Sequence, residues 1–446
     1  MDPITAFLLQ MSMLLVAART CGEICRRLNQ PPVLGELLAG ILLGPSAFGA
    51  LFPNAFQSIF SNTTMLQSMS TMGLVLLMLL TGLETDVRVL RNMGRAALGA
   101  SISGMLIPFV SGFLLALYVD DRFVTNPAAG RFPLALFLAT AMGVSAMPVL
   151  AKILMDLNLM RRNFAIIALS AAVVDDVIGW ILLAVLSGIA TTGIVNSTQI
   201  VETVFFLILF VALARYALFP VVQRLLPKLE HEMRMPNGEL VIVLVITMLC
   251  GAATEAIHVH AVFGAFVAGA MLRQCPTLRP ENLHKLEAIT LTLFAPIFFG
   301  AVGLRVDLWQ LNNLWLMLAV LGIAIGGKII GCLVGGLLGK MPFWEALAVG
   351  CCMSARGAVE LVVAKIGLDL KVITPEMFSI IVVMAVATSF LAPLMVRRIL
   401  PRIPASDEEQ MRGKSAAGGF LPVGQLRLLV PVGGGENALV GVHMAS

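Results

Sequence analysis

The chain has 446 residues, of which 59% are hydrophobic and only 13% charged, with a formal net charge of +4 and a mean hydropathy of +0.94. A soluble domain of this length needs far more charged surface, so lipid is the solvent these side chains call for. The small positive charge argues against nucleic acid as a partner. The seven cysteines form no CxxC pair with histidine partners, which argues against a metal site.

Thirteen apolar segments of spanning or near-spanning length follow in chain order, a membrane helix needing about 20 residues. Their limits are about 4–26, 32–50, 64–83, 92–118, 132–155, 163–190, 198–225, 237–257, 260–273, 284–304, 311–338, 342–366 and 375–399. The first lacks a basic leading region and a small-residue cleavage site, so it is read as a retained helix. The ninth is short for a full crossing. The predicted fold is therefore an all-α membrane protein of about 13 transmembrane helices within residues 1–400. Residues 401–446 are polar, then rich in glycine and valine. Leu426–Val432 reads there as a strand, and the tail as a linker plus the opening of a cytoplasmic domain.

The basic residues order these segments. One side of the alternating loops holds Arg19, Arg26, Arg27, Arg88, Arg91, Arg95, Lys152, Arg161, Arg162, Arg224, Lys228, Arg234, Arg273, Arg279, Lys285, Lys340, Arg397, Arg398 and Arg402. The other holds only Arg122, Arg131, Arg305, Lys365 and Lys371. The positive-inside rule then predicts an external N-terminus and a cytoplasmic C-terminus in a multi-pass cell (inner) membrane protein.

The two halves echo one another. Val33–Gly40 (VLGELLAG) matches Val262–Gly269 (VFGAFVAG), and Gly82–Asp86 (GLETD) matches Gly303–Asp307 (GLRVD). Ala151-Lys152-Ile153 matches Ala364-Lys365-Ile366, and Phe164–Ile167 matches Phe378–Ile381. Segments one to six thus pair with eight to thirteen, leaving the seventh alone between them. A single extra crossing makes the second repeat enter from the opposite face. The expected architecture is two inverted-topology repeats, with a site near the midplane.

Three features carry chemistry. Asp175 and Asp176 lie near the centre of the sixth segment, where a charge costs roughly 2.5–3.5 kcal/mol on insertion scales. Two adjacent acids cannot both ionise cheaply there without a cation. A pair that holds either a proton or Na⁺ or K⁺ satisfies both demands, and that competition couples the two ions. The competing reading, a pair tied up structurally, is weakened because the matching positions are Ser389 and Phe390. The second feature is Lys328, near the middle of the eleventh segment. It must lose its proton, pair with an acid, or snorkel to the interface. Around it Gly327, Gly331, Gly335 and Gly339 form a stripe read as helix packing.

The third feature is a pair of interrupted helices in equivalent segments. Pro148 removes a backbone donor and favours unwinding near Gly143 in the fifth segment, where Thr140 and Ser145 offer oxygens. The twelfth segment carries Ser354-Ala355-Arg356-Gly357, with Arg356 and Glu360 at i, i+4 spacing. Unwound backbone at that depth must line a cavity or be buried in protein. Arg356 and Glu360 are read as support for the half-helices in preference to direct ion ligands. His258 and His260, beside Glu255, are read as a capped turn in preference to a pH sensor.

At these residues the chain resembles the monovalent cation:proton antiporter superfamily, in its bacterial sodium/proton or potassium/proton branch. The segments Pro32–Leu37 (PVLGEL) and Leu293–Phe299 (LFAPIFF) carry the same likeness, which spans all thirteen segments. The resemblance implies a homodimer with an interface built from segments one to three and eight to ten. It implies a moving core from segments four to six and eleven to thirteen, displaced in an elevator-like manner. It further implies that Asp176 is the main ion carboxylate, that Asp175 pairs with Lys328 when no cation is bound, and that Thr140 lies beside the ion. Relatives with two aspartates and a lysine are typically electrogenic. The likeness suggests no cofactor beyond the transported cation and proton. A potassium efflux channel on the same scaffold and an organic-solute symporter are the alternatives. The small set of polar midplane residues suits a bare ion better than a solute, and no nucleophile–base pair suggests an enzyme.

Overall fold

The structure, a computed structural model, describes residues 2–28, 30–85, 94–125, 130–145, 147–157, 159–160, 162–192, 197–224, 238–257, 259–275, 278–311 and 313–404. Asp86, His258, several of the loop arginines and residues 405–446 with the predicted strand lie outside them. All regular secondary structure among the described residues is helical. Backbone amides inside a bilayer have no water to bond, so helices satisfy them internally.

In chain order the helices are α1 (Pro3–Arg27), α2 (Pro32–Leu43), α3 (Phe48–Leu51), α4 (Pro53–Phe60), α5 (Thr64–Glu84) and α6 (Arg95–Tyr118). Then come α7 (Phe132–Gly143), α8 (Met147–Asp156), α9 (Asn163–Thr192), α10 (Ser197–Leu213), α11 (Gly238–Ala256) and α12 (Ala261–Leu272). The last are α13 (Pro280–Ile289), α14 (Ala295–Gly303), α15 (Leu314–Leu338), α16 (Phe343–Met353), α17 (Ala358–Asp369) and α18 (Pro375–Ile399). Among the described residues ten spans are long and apolar enough to cross a membrane. Three apolar helices are shorter: α7 and α16, which are halves of interrupted segments, and α12. The expected figure of thirteen crossings is therefore not established helix by helix.

Local chemistry explains several boundaries. Asp2 caps α1 by accepting from the amides of Ile4 and Thr5 at 3.2 and 3.3 Å, with Pro3 at the first helical position. Glu255 accepts from the Ala261 amide at 2.8 Å, and His260 Nδ1 from the Val262 amide at 3.4 Å. Together they form the cap of α12 read from the sequence. Pro296 denies a hydrogen bond to the Thr292 carbonyl, four residues earlier. The chain answers with a π turn over Thr290–Phe294, and Arg19 donates to that carbonyl at 3.0 Å.

Two bundles result. One gathers α1, α2, α5 and α11–α14; the other gathers α6–α9 and α15–α18, with α6 against α15 as its most extensive contact. Helix α10 lies between, touching α9 of one and, through a π turn at Ala214–Leu218, α12 of the other. Close approach is bought with glycine: a Cβ on Gly331 or Gly335 of α15 would run into the α6 backbone at Ser103 or Gly99. The echoed segments meet in matching ways. Gly40 of α2 faces Gly303 of α14, and Gly269 of α12 faces Gly82 of α5. Gly35 presses on the Cys21 carbonyl, as Gly264 does on that of Cys250.

Candidate ion site

Helix α9 passes through the second bundle against α6, α7 and α16, and carries Asp175 and Asp176 into its interior, both fully buried. The glycine face of α15 turns Lys328 inward, and its side chain is also fully buried. That rules out snorkelling. Lys328 Nζ lies 2.5 Å from Asp175 Oδ2 and donates at 2.8 Å to the Gly143 carbonyl, at the C-terminal end of α7. A cation beside the exposed carbonyls of a helix terminus is favourable for the same reason it suits a carboxylate.

The second oxygen of Asp175 accepts from the Ser101 hydroxyl on α6 at 2.7 Å. Both oxygens of Asp175 are thus engaged. Asp176 is the opposite case: neither oxygen has a hydrogen-bond partner. The Met147 amide, at the start of α8, faces it closely enough to bear on its charge but falls short of hydrogen-bond geometry. A fully buried carboxyl with free oxygens is costly unless it holds a proton or a cation.

The two interrupted helices cross beside this pair and cap one another. Arg356, in the break between α16 and α17, donates to the carbonyls of Ala141 and Met142 at 2.5 Å each and of Val144 at 3.2 Å. These are the carbonyls left without partners where α7 ends. In return the Ser145 hydroxyl donates at 2.7 Å to Met353, the last residue of α16. Ser389, on α18, binds both the amide and the carbonyl of Arg356. Glu360 lies 3.6 Å from Arg356, and its oxygens make no hydrogen bond. Pro148 occupies the first turn of α8, where a missing amide proton costs little.

Not every expected residue meets the acids. The Thr140 hydroxyl is buried but donates back to the Leu136 carbonyl at 2.8 Å, and bonds neither Asp175 nor Asp176. Ser101 was not singled out from the sequence. Its only signal was a hydroxyl within Gly99–Gly104 (GASISG) of an otherwise apolar span.

Access is asymmetric. A cleft of about 870 Å³ opens between the bundles near Leu83 and Arg273. Val177 and Ile181 of α9 line it, the former next to Asp176 in the chain. At the opposite ends of α5 and α14 the bundles are joined. Arg305 pairs with Asp369 at 2.5 Å, Lys365 donates to Thr71 at 3.2 Å, and the Asp307 amide donates to Ser379 at 3.2 Å.

Two crossed, interrupted helices beside a buried acid pair within an all-helical membrane fold are an arrangement found in secondary transporters. The chain belongs to the sodium/hydrogen exchanger transmembrane family, whose model matches residues 12–402. It is 34% identical over 414 residues to the Na(+)/H(+) antiporter NhaS4 of Synechocystis, covering 90% of this chain and 99% of that one. It is 32% identical over 404 residues to cation/H(+) antiporter 18 of Arabidopsis thaliana, covering 88% of this chain. The chain spans only 48% of that relative's length. The fold is similar to that of the sodium proton antiporter MjNhaP1 from Methanocaldococcus jannaschii, with a TM-score of 0.58 at 18% identity, covering 90% of this chain and 100% of that one.

Proposed function

We propose that this chain exchanges a monovalent cation, Na⁺ or K⁺, for protons across a cell (inner) membrane, with Asp176 as the carboxylate for which the two ions compete. The observation that carries this reading is the unequal treatment of two adjacent buried acids. Asp175 is held at both oxygens by Lys328 and Ser101, whereas both oxygens of Asp176 are free. An ionised Asp176 beside an ionised Asp175 needs a counter-charge. A proton supplies it in one state and a desolvated cation in the other, and the two exclude each other. Lys328 balances Asp175, so the site needs one charge at a time.

The two bundles support a reading of alternating access. Sliding the α6–α9 and α15–α18 bundle against the other, in an elevator-like displacement, would carry Asp176 from its buried place behind Val177 of the cleft toward the face now closed by Arg305–Asp369. The distribution of basic residues puts the cleft, with Arg273, on the cytoplasmic side and the N-terminus outside. The α1, α2, α5 and α11–α14 bundle would form the interface of a homodimer. Electrogenic exchange, which the two-aspartate form with Lys328 favours, needs a second proton besides the one competing at Asp176, carried by Lys328 when a bound cation breaks its pair with Asp175.

Transport by purified protein in proteoliposomes under an imposed pH gradient tests this. Adding Na⁺ or K⁺ is expected to dissipate the gradient in wild type and not in Asp176→Asn. A wild-type protein with no cation-dependent proton flux would reject antiport. Cation flux without proton coupling would instead support a channel. A rate that ignores an imposed voltage would reject electrogenicity alone.

A further inference from the structure

We infer that the cleft between the two bundles is a binding site for an anionic phospholipid, with Arg215 anchoring its phosphate and the apolar walls holding the upper part of an acyl chain. The inference goes beyond the antiport reading and concerns a residue that reading leaves without a role.

Arg215 stands near the middle of the 20-residue span Phe205–Arg224, where an ionisable side chain is costly and calls for a partner or a polar cavity. Two other basic residues at such depth are accounted for: Lys328 by Asp175, and Arg356 by the carbonyls that end α7. Arg215 is exposed and lies over the rings of Phe219 at 4.8 Å and Tyr216 at 6.0 Å. Among the described residues no carboxylate or carbonyl bonds it.

Local sequence explains its placement. Pro220 cannot donate to the Tyr216 carbonyl four residues earlier, and the chain widens into the π turn over Ala214–Leu218, just as it does over Thr290–Phe294 ahead of Pro296. That turn packs on α12, and Arg215 joins the wall of the cleft of about 870 Å³. Most of the wall is apolar: Val177 and Ile181 of α9, Val211 of α10, and Phe263 and Phe266 of α12. Ile181 and Val211 are 44% and 42% exposed, so the apolar part is open to an incoming chain. The polar lining besides Arg215 includes Thr85, Arg273 and Gln274. Arg273 donates to the Leu83 carbonyl at 2.8 Å and faces Glu84, so the uncompensated charge is that of Arg215.

A guanidinium without an anion, set in a largely apolar cleft, fits an amphiphile with an anionic head. The guanidinium fork matches two phosphate oxygens, and the walls cover hydrocarbon. Basic pockets between membrane helices on the cytoplasmic side take acidic headgroups, and the basic-residue distribution puts this cleft on that side. An inorganic anion would use the arginine and leave the apolar walls wet. On the antiport reading the bound phosphate has a further effect: arginines lining the entrance repel an incoming cation, and the phosphate offsets that charge.

The test titrates the purified full chain in detergent with dioleoyl phosphatidylglycerol, dioleoyl phosphatidylcholine or inorganic phosphate. Melting temperature and, by native mass spectrometry, retained lipid are measured. Phosphatidylglycerol is expected to raise the melting temperature of wild type and to be retained, with little response to the other two. In Arg215→Gln its half-maximal concentration should rise about fivefold to tenfold, the effect of losing one cation beside a headgroup. Arg215→Lys, which keeps the charge, should stay near wild type. Arg398→Gln, which removes an exposed cation outside the cleft, should change nothing. Ala270 lines the cleft, and Ala270→Leu should weaken lipid binding with both arginines in place. That variant decides the matter if Arg215→Gln does not purify as a monodisperse protein. Unchanged affinity in Arg215→Gln and Ala270→Leu, equal weakening in Arg398→Gln, or an equal response to phosphatidylcholine would overturn the inference. Equal stabilisation by inorganic phosphate would do the same, by showing a free-anion site. So would a large gain in lipid affinity on neutralising Asp407, Glu408 and Glu409 in the full chain, which would make that acidic stretch the occupant. No readout here requires transport, so a wild type without cation-dependent proton flux would reject antiport and leave this result standing.

Discussion

Replacing Lys328 by alanine gives the sharpest energetic test of the buried pair. Nζ makes two contacts in the structure, to Asp175 Oδ2 at 2.5 Å and to the Gly143 carbonyl at 2.8 Å. Loss of the second leaves a buried carbonyl without that donor, at about 1 kcal/mol independent of pH. Loss of the first strands an ionised Asp175, and breaking a buried pair from one side costs about 3–5 kcal/mol. The deficit of Lys328→Ala should therefore be about 4–6 kcal/mol near neutral pH. Extending the size trend of melting temperatures, roughly 1–2 °C per kcal/mol, this is a gap of roughly 5–10 °C at neutral pH. Melting in detergent at neutral pH, followed by the loss of monodisperse protein on size exclusion, reads it directly. The double variant Lys328→Ala/Asp175→Asn removes the stranded charge and should recover most of the neutral-pH loss. A deficit below about 1 kcal/mol, or a double variant no more stable than the single one, would refute the pairing argument.

Other outcomes follow from the same geometry. Asp176→Asn should abolish cation-dependent proton flux while melting no lower than wild type, since Asp176 makes no hydrogen bond that the fold relies on; a clear fall in melting temperature would assign it a structural role. Arg356→Lys should destabilise by about 3 kcal/mol or more, because a single ammonium cannot reproduce the forked bonds to Ala141, Met142 and Val144; wild-type melting would contradict the cap. Gly335→Val should weaken the α6–α15 contact by at least about 1–3 kcal/mol and lower transport with it, as a Cβ there meets the Gly99 carbonyl. Asp369→Ala should change stability by less than about 1 kcal/mol, since its side chain is 42% exposed. A larger loss on melting would show the Arg305 pair to be more than a surface contact.

Much of this was legible from residue type and position alone. Apolar length located most of the helices, because a membrane leaves the backbone no alternative. Adjacent acids in the sixth segment and a lone lysine in the eleventh announced themselves, because charge is so costly in hydrocarbon. Partners made of neutral groups gave no such signal. Ser101 is a hydroxyl like many others in these spans, and only the close α6–α9 packing distinguishes it. Likewise, Arg356 was readable as support for a break, but not that its targets are carbonyls of the other broken helix. Main-chain acceptors have no signature in sequence. Thr140 is different again: its hydroxyl donates to the turn before it, which leaves the oxygen's lone pairs directed elsewhere and open to a cation.

The internal echo explains where the chemistry arises. The register that carries Ala151 onto Ala364 also carries Gly143 onto Arg356, and a shift of one more residue carries Asp175 onto Ser389. In both halves the helix after the break returns to touch the break. In the second half the contact is direct and closed: Ser389 binds the backbone of Arg356, and the guanidinium is spent on carbonyls. In the first half the equivalent positions are Gly143 and Asp175, with no side chain at one and an acid at the other, so a third group must join them. Lys328 does so, bonding the Gly143 carbonyl and Asp175 together. The second half thus closes with hydroxyl-to-backbone bonds the arrangement that the first half turns into an ionisable one. The scaffold stands on the former and needs no acid. Asp176, matched by Phe390 and left without a partner, is where the two halves differ most in charge, and it is there that a proton or a cation has something to balance.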